Sequence, residues 1–133
     1  MNEQQILQWL TDELTNVQVL TQHGQHFLFV GADRMLPFVT VMTSDLYDQA
    51  SQLERPGIYR LNLGVGPRLY RQLFGNATLN SHDFTALDTL MPHPEYAAQG
   101  WVCVLNPSSA TFADLQPLLR AAHERAARRA GLS

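Results

Sequence analysis

The sequence predicts an α+β fold, a two-layer arrangement in which helices cover one face of an antiparallel sheet in the order α-β-β-β-α-β-β-α. Three observations carry that expectation. Strand-like segments follow one another through short connections, which favours antiparallel pairing. Segments near both ends of the chain carry apolar residues at helical spacing, so each presents one stripe to a core. Between them, Ile58 to Leu63 alternates, with Tyr59, Leu61 and Leu63 on one side and Ile58, Arg60 and Asn62 on the other. A sheet containing that strand has one packed face and one face that holds a guanidinium and an amide.

The elements follow in order. A helix is expected from Glu3 to Leu14, started by Asn2 with Gln5 three residues on, and buried along Ile6, Trp9, Leu10 and Leu14. A polar stretch leads to strands at His26–Val30 and Phe38–Met42, apolar on both sides and therefore interior to the sheet. The segment from Ser44 to Pro56 is polar and turn-like, with one helical turn expected around Tyr47–Leu53. After the alternating strand, Gly66-Pro67 opens a second helix with proline at its first position and Gly75 closes it. A loop is expected over Asn76–Asp83, a short strand over Leu87–Met91, one turn at Tyr96–Gln99 and a strand at Trp101–Leu105. Pro117 does not suit a helix interior, so the last helix is expected to begin around it, after a short turn at Phe112–Leu115. Its buried stripe is Leu115, Leu118, Leu119, Ala122 and Ala126.

Composition narrows the function. The 133 residues suit a single globular domain over 1–133, and 45% hydrophobic with 16% charged residues is ordinary for a packed one. The 9 cationic side chains, all arginine, face 12 anionic ones, a net of -3 that argues against a nucleic-acid-coating surface. One cysteine, Cys103, excludes an intramolecular disulfide and points to a reducing, cytoplasmic setting. No basic segment followed by an apolar run marks a secretory signal, and no stretch is long and apolar enough for a membrane span.

Candidate sites are few. His23-Gly-Gln-His26 has two histidines but no further ligand beside them, so no metal is expected and exposed loop histidines are the better account. No cofactor motif is present; Gly64-Val-Gly66-Pro-Arg68 lacks Rossmann and P-loop spacing and leaves only a small anion at Gly66 and Arg68 as a weak candidate. Cys103 alternates with valines and is expected to be buried and inert. The group that matters is Asp45, Tyr47, Asp48, Arg55, Arg60, Asn62, His93 and Tyr96. Arg60 on a half-covered face needs a partner, with Asp45 or Asp48 the natural choices. Either a salt-bridged network pins the 44–56 segment to the sheet, or the group forms a shallow polar pocket whose group titrating near neutrality is His93.

Several phrases together resemble a family of small bacterial proteins catalogued as a domain of unknown function. They are Pro37-Phe-Val-Thr40, Ser44-Asp-Leu-Tyr-Asp48, Arg55-Pro-Gly-Ile-Tyr-Arg-Leu-Asn-Leu-Gly64, Phe74-Gly75, Thr85-Ala-Leu-Asp88, Pro92-His-Pro-Glu-Tyr96 and Trp101-Val-Cys-Val-Leu-Asn-Pro107. That resemblance spans nearly the whole chain and brings no reaction with it. More distantly the element order is similar to the MmcQ/YjbR-like group, which implies a sheet of the secretion-chaperone-like type and a DNA-binding role suggested from fold alone. The expected function is a non-catalytic binding or protein-interaction module, a homodimer among the options, using the open sheet face with Trp9, Phe38 or Tyr96 at its rim. The alternatives are a small enzyme or small-molecule binder around Arg60, Asn62, Asp45 and His93, and a nucleic-acid binder using Arg68, Arg71 and the terminal arginines.

Overall fold

In the computed structural model, which describes residues 1–32, 34, 36–75 and 82–132, the chain folds as α1 (Glu3–Glu13), β1 (Val17–Gln22), β2 (Gln25–Val30), β3 (Val39–Met42), β4 (Arg60–Gly64), α2 (Pro67–Phe74), β5 (Met91–Pro92), β6 (Trp101–Leu105) and α3 (Ser109–Arg129). The six strands form one antiparallel sheet in the order β1-β2-β3-β4-β6-β5. This is the expected α+β architecture, with one strand more than the sequence suggested. β1 occupies the stretch read as polar connection. His23 and Gly24, with φ of 54° and 77°, form the two-residue turn that pairs it with β2, and two positive φ values are what the favoured hairpin turn requires. The remaining loop expectation, Asn76–Asp83, falls largely outside the described residues.

Alternation divides the sheet into two faces. Leu28, Val39, Val41, Leu61, Leu63, Val102 and Val104 point to the helices, where they meet Ile6, Leu10 and Leu14 of α1 and Phe112, Leu115, Leu119, Ala122 and Ala126 of α3. Leu69, Tyr70 and Phe74 of α2 pack on the same core. α1 starts as its sequence dictates: Asn2 Oδ1 accepts from Gln5 N–H and Gln5 Oε1 accepts from Asn2 N–H, each at 2.9 Å.

α3 corrects the sequence reading. It runs unbroken through Pro117, with Ser108 capping its start. Proline removes one backbone hydrogen bond, but Phe112, Leu115 and Leu119 anchor the helix to the core on both sides of it, and that burial outweighs the local loss. The helical turn expected at Tyr47–Leu53 does not form. Arg55 and Asp45 hold that segment instead: Arg55 donates to the carbonyls of Gln52, Ser51 and Thr85, and Asp45 Oδ1 accepts from Leu53 N–H.

The second face carries Phe27, Thr40, Met42, Arg60, Asn62, Cys103, Leu105 and, opposite Gly64, Trp101. It is covered by loops rather than helices. Leu53 from the 43–59 segment and Met91 pack on Met42, Cys103 and Leu105 as a second, smaller core. Gln25, fully buried, ties the cover down by donating to Thr43 Oγ1 and Ser44 Oγ and accepting from Thr43 N–H.

Candidate functional site

Between these loops and the sheet lies a cavity of about 440 Å³. β4 supplies its floor. Arg60 and Asn62 point to the loop side because each lies two residues from the next on a strand whose other side is committed to Leu61 and Leu63. Arg60 is 1% exposed, and a guanidinium buried to that degree requires partners. It has them. Nη1 and Nη2 donate to Asp48 Oδ1 and Oδ2 at 3.0 and 2.6 Å, Nη1 also to Ser51 Oγ at 3.0 Å, and Nε to Asn62 Oδ1 at 2.8 Å. Asn62 Nδ2 passes the chain on to Thr40 Oγ1 at 2.9 Å. Burial would raise the Asp48 carboxyl, but the hydrogen bond and charge of Arg60 outweigh it and hold the group below the usual carboxylate range.

His93 closes the polar floor. It follows β5, and its N–H donates to the Trp101 carbonyl, extending the pairing by one residue. Its ring is 3% exposed, and Nδ1 accepts from the N–H groups of Glu95 and Tyr96, both at 3.0 Å. Nε2 lies 3.5 Å from Arg60 Nη2. Burial, reinforced by the Arg60 charge and only partly offset by Asp48, pushes the imidazole down to about 3. The expectation of a group titrating near neutrality is therefore overturned: His93 is neutral throughout the physiological range. The pocket is also neither shallow nor mainly polar. Its walls are Phe27, Met42, Tyr47, Tyr96, Trp101 and, toward the mouth, Leu36. Gly64 makes room for one of them, since a Cβ there would stand 2.9 Å from the Trp101 indole. The Phe27 and Tyr47 rings meet edge to face at 5.8 Å, and the His93 and Tyr96 rings lie 4.9 Å apart.

Of the eight residues singled out in the sequence, six meet at this cavity: Tyr47, Asp48, Arg60, Asn62, His93 and Tyr96. Asp45 and Arg55 do not line it; they fasten the covering loop through the backbone bonds described above. Trp9 and Phe38 lie on the helix side, Trp9 edge-on to Phe112 at 5.4 Å and Phe38 against His123, so of the three rim candidates only Tyr96 is at the mouth. Phe27, Met42 and Trp101 escaped the sequence reading. Period-2 alternation fixes which residues of a strand share a face, but only the register of β3 and β6 against β4, and of β2 against β3, reveals that theirs is the face of Arg60.

The other candidates are placed as follows. Gly66 is the N-cap of α2, with Arg68 in its first turn, and Gly66 N–H is already donated to the Gly100 carbonyl at 3.0 Å. His26 is not a loop histidine: it lies in β2 with Nε2 3.1 Å from Glu3 Oε2 and Nδ1 2.8 Å from Thr21 Oγ1. Among the described residues no group of three or more His, Cys, Asp or Glu side chains is arranged to hold a metal ion. Cys103 is fully buried, and burial pushes its thiol up to about 12, which leaves no thiolate at neutral pH. No helix among the described residues is long and apolar enough to cross a membrane.

The family model for DUF6194, described as a family of unknown function, matches residues 1–132. The chain belongs to this family. The match bears out an uncharacterised domain spanning nearly the whole chain. No curated protein matches the chain, and no solved structure does. Nothing in these comparisons bears on the more distant likeness to the MmcQ/YjbR-like group.

Proposed function

We propose that this DUF6194 chain is a non-catalytic binding module whose ligand is a small molecule held in the cavity on the loop-covered face of the sheet. One observation carries the reading: a concave site of about 440 Å³ combines apolar and aromatic walls with a few fixed polar groups on its floor. Small-molecule sites have that size and that composition. Binding is favoured over proton-transfer chemistry because the floor groups are each locked in one state. Asp48 is ionised with both oxygens on Arg60, and His93 is neutral with Nδ1 committed to two backbone N–H groups. A general acid or base needs a group poised to exchange its proton near the working pH, and neither of these two is.

A fragment library screened by protein-observed NMR tests the reading. Binders are expected to shift the Trp101 indole and the amides of Tyr47 and Tyr96 together. Hits that consistently shift other regions, or none at all across a broad library, would count against it.

A second reading rests on a separate observation. Leu36, Tyr47 and Tyr96, 59%, 50% and 53% exposed, ring the mouth, with Leu46 beside them in sequence and 57% exposed. Clustered exposed apolar side chains mark contact surfaces, and self-association through this rim gives the homodimer. Sedimentation equilibrium of the wild type and of Leu36→Glu tests it. A protein monomeric at several hundred micromolar removes the homodimer.

A further inference from the structure

Two hydrogen-bond donors meet on the cavity floor with no acceptor between them. Because His93 Nδ1 accepts from two backbone N–H groups at 3.0 Å, it carries no proton, and in the neutral ring the proton sits on Nε2. Nε2 is then a donor. Its neighbour at 3.5 Å, Arg60 Nη2, belongs to a group that only donates. The other tautomer would let Nε2 accept from Arg60, at the cost of turning an Nδ1 proton on the N–H groups of Glu95 and Tyr96. That exchanges two bonds of 3.0 Å for one of 3.5 Å, and it leaves two backbone donors unmet.

The count on Arg60 agrees. Of its five N–H groups, one goes to Asn62, two to Asp48 and one to Ser51. The fifth, on Nη2, is left facing His93. Both side chains line the cavity, and with Arg60 1% and His93 3% exposed neither has bulk water to satisfy it.

We propose that an oxygen of the ligand fills this position, accepting from His93 Nε2 and Arg60 Nη2 together, and that the ligand is an uncharged carbonyl compound with an apolar or aromatic body. The inference rests on the small-molecule reading above and adds the ligand's chemistry. Charge selects the uncharged compound. Asp48 neutralises Arg60 through both carboxylate oxygens, His93 contributes none, and Glu95 adds a carboxylate to the lining. An entering carboxylate would be stripped of water without meeting a net positive charge. A ketone, ester, lactone or amide oxygen is cheap to desolvate and suits two donors of a paired floor. Phe27, Tyr47, Tyr96 and Trp101 supply the surface for its body.

Three probes of one shape separate the possibilities: acetophenone, benzoate and ethylbenzene, titrated into isotope-labelled full-length protein at neutral pH and read at the Trp101 indole and the Glu95 and Tyr96 amides. Acetophenone is expected to bind about tenfold more tightly than either of the others, the net effect of the carbonyl's hydrogen bonds against ethylbenzene and of the buried charge against benzoate. In His93→Asn, whose Oδ1 takes over the Nδ1 acceptor role without a donor at Nε2, acetophenone should lose part of its advantage over ethylbenzene, keeping the share that Arg60 Nη2 supplies, while ethylbenzene is unchanged. Equal affinity for acetophenone and ethylbenzene in the wild type, or a ¹⁵N spectrum placing the His93 proton on Nδ1, overturns the acceptor assignment and leaves the cavity reading standing. Benzoate as the tightest probe overturns the uncharged ligand. Silence of all three at millimolar concentration overturns the small-molecule reading and this inference with it.

Discussion

Arg60 shows how one side chain constrains its surroundings. Its position on the open face was legible in the alternation of Ile58 to Leu63, and the need for a carboxylate followed from the cost of burying a guanidinium unpaired. Which aspartate would answer was not legible, because a loop of irregular backbone has no period to read; the structure gives Asp48 to Arg60 and Asp45 to the Leu53 amide. Asp48→Ala is expected to cost about 3–5 kcal/mol in urea unfolding, since it strands a charge that is 1% exposed. A loss below about 1 kcal/mol would mean the pair behaves like a surface one. His93 makes the pH prediction. Its folded value, about 3, lies below the ordinary 6.5, so between those values the unfolded chain binds a proton that the folded chain refuses. Stability is therefore fully present above pH 6.5 and is lost as pH falls, by about 1.4 kcal/mol per unit across the window. Asp48, also held low, contributes in the same direction only below its ordinary 3.8, so the upper part of the window belongs to His93. The difference between wild type and His93→Asn in urea unfolding at pH 7 and pH 5 should narrow at the lower pH. A constant difference would show that His93 takes up its proton in the folded state over the same pH range as in the unfolded chain.

At the scale of elements, the sequence spoke most clearly where a cap or a break has a fixed chemistry, as at Asn2 and Gln5 for α1 and Gly66-Pro67 and Gly75 for α2. It spoke least clearly where tertiary contacts decide. Val17–Gln22 mixes glutamine and threonine with its valines and is half exposed at the sheet edge, so nothing but pairing with β2 identifies it as a strand. Pro117 is the converse: a strong local signal overruled by the apolar stripe on both sides of it. Pro117 is exposed, so Pro117→Ala restores a backbone donor without emptying the core, and α3 should gain about 1–3 kcal/mol, seen as a higher Tm. An unchanged or lower Tm would mean that the helix has already relaxed around the proline. Gly100 is the point where two elements touch through backbone. It sits at φ +84°, and a Cβ there would stand 2.2 Å from the Gly66 carbonyl carbon. Gly57 has a similar φ of +74° but open space around it. Gly57→Ala should cost about 1 kcal/mol of strain, whereas Gly100→Ala should exceed it severalfold by forcing β6 and α2 apart. Equal costs in urea titrations would reduce the contact to a matter of φ alone.

The whole molecule is one sheet between two unequal covers, and that inequality bears on how a ligand gets in. On the helix side, α1 and α3 seal a continuous apolar core against β2, β3, β4 and β6. On the other side, a much smaller core of Met42, Leu53, Met91, Cys103 and Leu105 works together with the polar links of Arg60, Gln25 and Arg55. Apolar burial is the larger stabilising term, so the loop-side cover belongs to the low-stability end of the molecule. The arginines add to this division: Arg60 is consumed by Asp48, Arg128 pairs with Glu124 and Arg120 with Glu13, and with a net charge of -3 the surface offers phosphates little. Native-state hydrogen exchange in low urea reads the inequality directly. The amides of Leu61, Leu63 and Val104 should exchange only through global unfolding, with the full denaturant dependence. Those of Thr43 and Leu53, bonded to Gln25 and Asp45 side chains, should exchange through a cheaper opening with a small denaturant dependence. A molecule bound in the cavity must hold that opening closed, so it should slow Thr43 and Leu53 while leaving the helix-side amides to follow global stability. If both groups exchange through one global event, the cover is as stable as the core, and ligand entry has to proceed through the mouth between Tyr47 and Tyr96 without the loop lifting.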